Sequence, residues 1–149
     1  ELDKFTILNP APAVKLGDDI IKNVDLLTPN ETELEILSGV SINNEDDILK
    51  AAQVMLEKGV KKLIVTLGSK GSLYIDKENK IFKKSYKVDA IDTTAAGDSY
   101  TGAIAVSLSQ GKNVEDTIDF ASRVGALCVT KEGAQSSLPT IEEVLNYKF

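Results

Sequence analysis

The chain has 149 residues, 42% hydrophobic and 27% charged, a balance that fits one globular domain with a core and excludes a disordered tail. Its formal net charge of -6, with no Lys/Arg cluster beyond pairs such as Lys61-Lys62 and Lys83-Lys84, excludes a nucleic-acid backbone as partner, and no apolar run nears the roughly 20 residues of a membrane span. A single cysteine, Cys128, and no histidine exclude an internal disulfide, a cysteine zinc site and Ser-His-Asp catalysis, while the acidic start Glu1-Leu2-Asp3-Lys4 lacks a signal peptide's basic-then-apolar pattern and predicts a cytoplasmic protein.

Phe5-Thr6-Ile7-Leu8 predicts a short buried strand that Asn9-Pro10-Ala11-Pro12 ends, and Ile20, Ile21 and Val24 give the next helix an apolar face. Asp25-Leu26-Leu27-Thr28 predicts a second strand; Pro29 breaks it, and Asn30 opens a helix through Leu34, Ile36 and Leu37 to Gly39. A longer helix is expected from about Asn44 to Lys58, with Ile48, Ala51, Ala52, Met55 and Leu56 on one side and Gly59 as its stop. Lys62 to Leu67 reads as a central strand, and the turn Gly68-Ser69-Lys70-Gly71 leads into a strand from Ser72 to Asp76. A polar turn returns the chain as an edge strand from Ile81 to Val88, protected by its lysines. Helices follow from about Ala96 to Ser109, Val114 to Val129 and Ile141 to Tyr147.

Strands alternating with helices predict an α/β class with parallel pairing and helices on both faces of a sheet. In such sheets ligands collect beyond the carboxyl ends of the strands. Those ends carry Asn9-Pro10, Pro29-Asn30, Gly68 to Gly71 and the Asp92 to Asp98 turn, which are expected to converge on one site.

The stretch Asp92-Thr93-Thr94-Ala95-Ala96-Gly97-Asp98-Ser99-Tyr100-Thr101-Gly102-Ala103 puts small residues at a helix start and a carboxylate inside its first turn. Ala95, Ala96 and Gly97 leave room for a ligand to reach the main chain, where free N–H groups and the positive end of the helix dipole attract an anion. Asp98 would repel a phosphate unless it accepts a proton from, or orients, the hydroxyl attacking that phosphate, so the combination points to phosphoryl transfer. On these residues alone, a helix whose acid complements the dipole, with Ala and Gly there for close packing, is an equal alternative. The whole string resembles the second signature of the ribokinase-like, or PfkB-type, carbohydrate kinases, Asp-Thr-x-[Gly/Ala]-Ala-Gly-Asp-[Ser/Thr]-[Phe/Tyr]. Ala95 fills the Gly/Ala slot and Tyr100 the aromatic slot.

Asn30-Glu31-Thr32-Glu33 fits a helix capping box by pattern. The resemblance implies instead that Asn30 and Glu33 help organise magnesium and the nucleotide phosphates, Glu33 through metal-bound water. Thr66-Leu67-Gly68-Ser69-Lys70-Gly71 reads by itself as a tight strand connection, neither a Walker A loop nor a dinucleotide-binding Gly-x-Gly-x-x-Gly. In the family an equivalent Thr-x-Gly-x-x-Gly turn lies over the nucleotide, which makes Thr66, Gly68, Ser69, Lys70 and Gly71 candidate ATP contacts, with Ser122 on the adenine side. The segment from Lys131 to Pro139 reads as a polar loop. The resemblance implies that this loop and Asp92 to Thr94 enclose a potassium ion, with Asp92, Thr94, Cys128, Lys131, Gly133 and Ser137 at the corresponding positions. Lys131 would serve only through its carbonyl, since an ammonium cannot ligate a cation. Leu8-Asn9-Pro10-Ala11-Pro12-Ala13 also looks like the ribokinase branch, and the likeness runs from about Ile7 to Pro139.

The resemblance therefore implies a ribokinase-like three-layer α/β/α fold, present over residues 1–149 as a partial domain with a mostly parallel sheet and an antiparallel hairpin at one edge. It implies ATP-dependent transfer of a phosphoryl group to a primary hydroxyl of a pentose, ribose first among them. Asp98 is then the base and touches both sugar and ATP; the Ala95, Ala96 and Gly97 amides stabilise charge on the group in transit. The alternatives are another kinase of the family, for fructose or a nucleoside, and a non-catalytic nucleotide-binding module, against which an intact Asp98 argues. Hydride transfer is weaker still, for want of the glycine fingerprint. The chain does not begin with Met and carries neither the family's Gly-Gly sugar signature nor its β lid, so it is expected to be the C-terminal half of a homodimeric parent.

Overall fold

Five strands, β1 (Ile7–Leu8), β2 (Leu26–Leu27), β3 (Lys62–Thr66), β4 (Ser72–Ile75) and β5 (Lys80–Lys83), lie in chain order in one sheet of the computed structural model, which describes residues 4–149. The residues Glu1-Leu2-Asp3 of the acidic start lie outside the described residues. β1 and β2 pair in parallel, as do β2 and β3, with Ile7 opposite Leu26 and Leu27 opposite Leu63. The connections 67–71 and 76–79 are too short for a parallel crossover, so β3, β4 and β5 run antiparallel in turn and the sheet is mixed. The helices are α1 (Asp18–Ile21), α2 (Glu31–Ser38), α3 (Glu45–Glu57), α4 (Ala96–Ser109), α5 (Val114–Cys128) and α6 (Ile141–Asn146).

The chain divides into two compact units, one running to Leu67 and taking in Leu73–Phe82, the other built from Gly68–Ser72 and Lys83–Phe149. The core of the first joins Leu34 and Leu37 of α2, Ile48, Ala51, Ala52 and Met55 of α3, and Leu27, Leu63, Val65 and Leu73 of the strands. Fully burying a Leu, Ile or Met side chain contributes about 1.5–3 kcal/mol, so this cluster holds the helices on the strands. α3 follows its periodicity closely. Asn44 caps it by accepting the Asp47 amide at 3.1 Å, and Gly59 ends it at φ 112°.

Elsewhere the elements are shorter than the sequence predicts. Phe5 is 52% exposed under the Lys62 ammonium, so regular pairing begins only at half-buried Ile7. α1 is a single turn, because the side-chain Nδ2 of Asn23 donates to the Asp19 carbonyl at 2.7 Å and ends it, leaving Ile21 and Val24 buried and Ile20 outside. Ile36 is likewise 51% exposed, since α2 turns Leu34 and Leu37 inward. The return strand stops at Lys83 instead of Val88. There the Lys83 ammonium and the Tyr86 hydroxyl both reach Asp119 of α5, which draws the backbone out of the ladder.

In the second unit α4 packs on α5, and Ala103 and Ile104 of the one helix and Ile118 and Ala121 of the other are buried. A buried hydroxyl pair, Ser107 Oγ and Thr117 Oγ1 at 2.9 Å, lies between these helices. Each hydroxyl satisfies the other, which removes the cost of an orphaned buried polar group. α6 adds Val144, 1% exposed.

Candidate functional site

In the first unit the ends of β2 and β3 bring three of the predicted residues together. Asn30 forms an isolated parallel bridge with Thr66, and the Thr66 amide donates to the Pro29 carbonyl at 2.9 Å. Asn30 Oδ1 accepts the Glu33 amide and Glu33 Oε2 accepts the Asn30 amide, both at 2.8 Å. The capping box read from the pattern therefore forms, and it fixes the Glu33 carboxylate at a strand end. Among the described residues no three His, Cys, Asp or Glu side chains gather as a metal-binding group. One carboxylate suits magnesium, which keeps most of its water and takes its other ligands from phosphate oxygens.

In the second unit the turn after β3 is a single 3₁₀ turn, Gly68–Lys70. Gly68 has φ 56°, and Gly71, at φ 115°, donates its amide to the Gly68 carbonyl at 3.0 Å. A Cβ on Gly71 would collide with the Lys83 carbonyl and the Ser85 amide, so only glycine allows this close approach. Ser69 and Lys70 are exposed on the turn.

α4 opens unusually. Ala95, its N-cap, has φ 61° and ψ 6°, the left-handed region that costs a residue with a Cβ about 1–2 kcal/mol, and no side chain caps the helix. The Ala96 amide bonds to the Thr93 carbonyl at 3.2 Å and the Ser99 amide to the Ala95 carbonyl at 2.8 Å. Gly97 lies between them. It is exposed, its φ is not positive, and a Cβ there would meet nothing within 4 Å. Glycine inside a helix costs about 1 kcal/mol relative to alanine, and neither conformation nor packing within the chain demands it here. The close-packing explanation fails for Gly97, and room for a ligand remains. Asp98 is exposed in the same first turn.

Beside this helix start, within the same unit, the residues expected to surround a monovalent cation form a loop cluster. The Ile91 and Asp92 amides donate to the Val129 carbonyl at 2.7 and 3.2 Å. The Asp92 carboxylate accepts the Thr94 amide at 2.8 Å and the Gly133 amide at 2.9 Å, and these bonds with Thr94 and Gly133 hold its pKa below the ordinary value. Cys128 Sγ, fully buried, lies 3.8 Å from the Thr94 carbonyl and 3.2 Å from Ser137 Oγ, which donates to the Ala134 carbonyl at 2.8 Å. Lys131 directs its ammonium to Glu143 of α6 at 2.7 Å, leaving in the cluster carbonyls, hydroxyls, a carboxylate and the Cys128 thiol. That oxygen-rich set fits a hard monovalent cation. The Lys131 ammonium and the Thr140 amide together pull the Glu143 carboxyl down to about 2.

Ser122 is 8% exposed on α5. Three residues outside the sequence reading tie the second unit together: Ser72, Tyr100 as a hydrogen-bonding group, and Glu143. The aromatic slot at Tyr100 signalled a packed ring, and nothing in the spacing revealed where its hydroxyl goes.

The chain matches the sequence pattern of the pfkB family carbohydrate kinase over residues 2–141. It is 44% identical over 141 residues to the ribokinase of Haemophilus influenzae, an alignment covering 95% of this chain and 46% of that protein. Among solved structures, the ribokinase of Thermotoga maritima is similar with a TM-score of 0.90 and 45% identity, covering 97% of this chain and 48% of that one. Arabidopsis thaliana ribokinase complexed with ribose and ATP gives a TM-score of 0.91 and 35% identity, over 95% and 46% of the two chains. The chain thus spans about half the length of the relatives it matches. Its α/β fold is ribokinase-like, with the mixed five-stranded sheet of a partial domain. The left-handed Ala95, the uncapped start of α4, Asp98 and the sequence match together lead to one conclusion: the chain belongs to the pfkB family of carbohydrate kinases.

Proposed function

We propose that this chain is the nucleotide-binding and catalytic-base portion of an ATP-dependent ribose kinase, which transfers the γ-phosphoryl group of ATP to the primary hydroxyl of D-ribose. The observation that carries the reading is the start of α4, where a strained Ala95 and an unexplained Gly97 precede the exposed carboxylate of Asp98. The name and ligands of the Arabidopsis relative, ribose and ATP, support ribose as the acceptor.

Asp98 accepts the proton of the attacking hydroxyl as the new P–O bond forms and the bond to the leaving ADP oxygen breaks. The first-turn amides of α4, at the positive end of its dipole, face charge that builds on the phosphoryl oxygens; positioned donors of this kind supply much of the catalysis of a loose transition state. Ser69, Lys70 and the glycine backbone of 68–71 hold the polyphosphate, and Ser122 lies on the adenine side. Magnesium, held near Glu33 and Asn30, would neutralise the polyphosphate; potassium, among Asp92, Thr94, Cys128, Lys131, Gly133 and Ser137, would brace the helix start. No helix among the described residues is long and apolar enough to cross a membrane, and the reading is of a cytoplasmic, homodimeric enzyme that binds no nucleic acid.

The test is ATP consumption by the full-length protein that carries this chain, over a panel of ribose, deoxyribose, fructose and nucleosides. Ribose 5-phosphate as the main product supports the reading. ATP binding without turnover on any acceptor would return the chain to a nucleotide-binding module.

A further inference from the structure

Two elements of the second unit, the strand start that follows the 68–71 turn and α4, are joined at one buried hydroxyl. Tyr100, on α4 two residues past Asp98, is 7% exposed, and its hydroxyl donates to Ser72 Oγ at 2.7 Å. Ser72 is fully buried and directly follows Gly71 of the 68–71 turn. Burial raises the Tyr100 hydroxyl's pKa, against the opposing pull of Ser72 and of Ser122 of α5, the candidate adenine-side residue. Gly125 of α5, one turn beyond Ser122, faces the ring: a Cβ there would stand 3.5 Å from Tyr100 Cδ2, an ordinary van der Waals contact.

We infer that Tyr100 is a positioning residue for the nucleotide, its hydroxyl locking the 68–71 turn to α4 so that the two present their ATP contacts as one preformed surface. The inference rests on the kinase reading. The physical need lies in the turn itself. Gly68 and Gly71 both sit at positive φ, and residues this free must be held by their surroundings or the turn will sample other shapes. Contact of Gly71 with Lys83 and Ser85 restrains one side, and the bond from Tyr100 to Ser72 restrains the next residue along. A tyrosine hydroxyl carries one donor, and Tyr100 gives it to Ser72. Ser72 Oγ and the Tyr100 hydroxyl are thereby paired away from water, and ordering of the turn is complete before ATP arrives. The motif slot at this position takes Phe or Tyr, so the ring meets the packing requirement and the hydroxyl is an addition that the motif does not demand.

The experiment compares Tyr100→Phe, Ser72→Ala and the double variant with the unmodified full-length protein. Tyr100→Phe keeps the ring and should raise the KM for ATP roughly two- to tenfold, the factor that one net hydrogen bond accounts for. The KM for the sugar and kcat should move less than the KM for ATP. Ser72→Ala should reproduce the split, and the double variant should be no worse than the poorer single one, since both remove the same bond. An unchanged KM for ATP in both variants, additive losses in the double, or a fall confined to kcat and melting temperature would overturn the inference. Failure of the kinase reading shows separately: the unmodified protein would then neither bind nor consume ATP, which overturns both.

Discussion

The Asp92 carboxylate accepts the Gly133 amide at 2.9 Å across 41 residues of chain, while its other oxygen accepts the Thr94 amide at 2.8 Å. One side chain thus joins the loop that enters α4 to the loop that follows α5. Thr94 immediately precedes the left-handed Ala95, so the conformation at the helix start is set partly by a residue beyond the far end of the next helix.

A monovalent cation among these oxygens should favour one ionic radius, because a cage cross-linked in this way cannot expand or shrink freely. Exchanging potassium for lithium or tetramethylammonium at constant ionic strength should therefore lower kcat. Asp92→Ala, which releases the Gly133 loop, should weaken that preference. Equal rates in all three salts would reject the cation site.

Asp98→Asn keeps the shape of the side chain and removes its ability to take a proton. In the full-length enzyme it should lower kcat by about two or more orders of magnitude, the range of general-base loss, with ATP affinity nearly intact. Steady-state kinetics beside a direct ATP-binding titration make the comparison. Sugar phosphorylation near the unmodified rate would remove Asp98 from the role.

Gly97→Ala separates ligand access from packing. A Cβ at this position enters open space, and alanine is the better helix former, so the variant should melt no lower than the parent and gain up to about 1 kcal/mol. Phosphoryl transfer should nevertheless fall, since the methyl group stands where the phosphate approaches the helix amides. A variant that is both more stable and fully active would show that no ligand uses this surface.

Glu33→Gln tests magnesium apart from capping. Glutamine can still accept the Asn30 amide through its carbonyl oxygen, so the capping box survives and melting should shift little. The loss of charge should raise the magnesium concentration needed for half-maximal rate. An unchanged midpoint would leave Glu33 as a capping residue only.

Asp119 predicts an acid-sensitive contribution to stability. Burial alone would raise its carboxyl, but bonds from Lys83, Tyr86 and Arg123 outweigh this and hold it down at about 2, against 3.8 for the free group. A carboxyl depressed on folding stabilises fully above its unfolded value, and that share is lost as pH falls toward the folded one. Asp119→Asn should lower the melting temperature at neutral pH, and its gap from the parent should narrow between about pH 4 and about pH 2. A constant gap would mean that packing, and not charge, is what Asp119 contributes.

The long elements and the family were legible in the residues alone. The apolar stripe of Ile48, Ala51, Ala52, Met55 and Leu56, with Asn44 and Gly59 around it, specifies α3 because cap, stripe and stop all agree. Asn30 and Glu33 declared their capping box, and the run from Asp92 to Tyr100 its family, because these rest on residue types at short fixed spacings. Tertiary structure decided the rest. Ala95 takes a left-handed conformation that no local preference of alanine favours, beside loops that Asp92 cross-links. The return strand ends at Lys83 because Asp119, far along the chain, captures Lys83 and Tyr86. Tyr100 reads as an apolar ring in its motif, yet Ser72, 28 residues earlier, turns its hydroxyl into a link between turn and helix. Short-range spacing fixes helices and caps, whereas a hydrogen bond between distant residues exists only once packing has brought its two ends within 3 Å or so and excluded water from both.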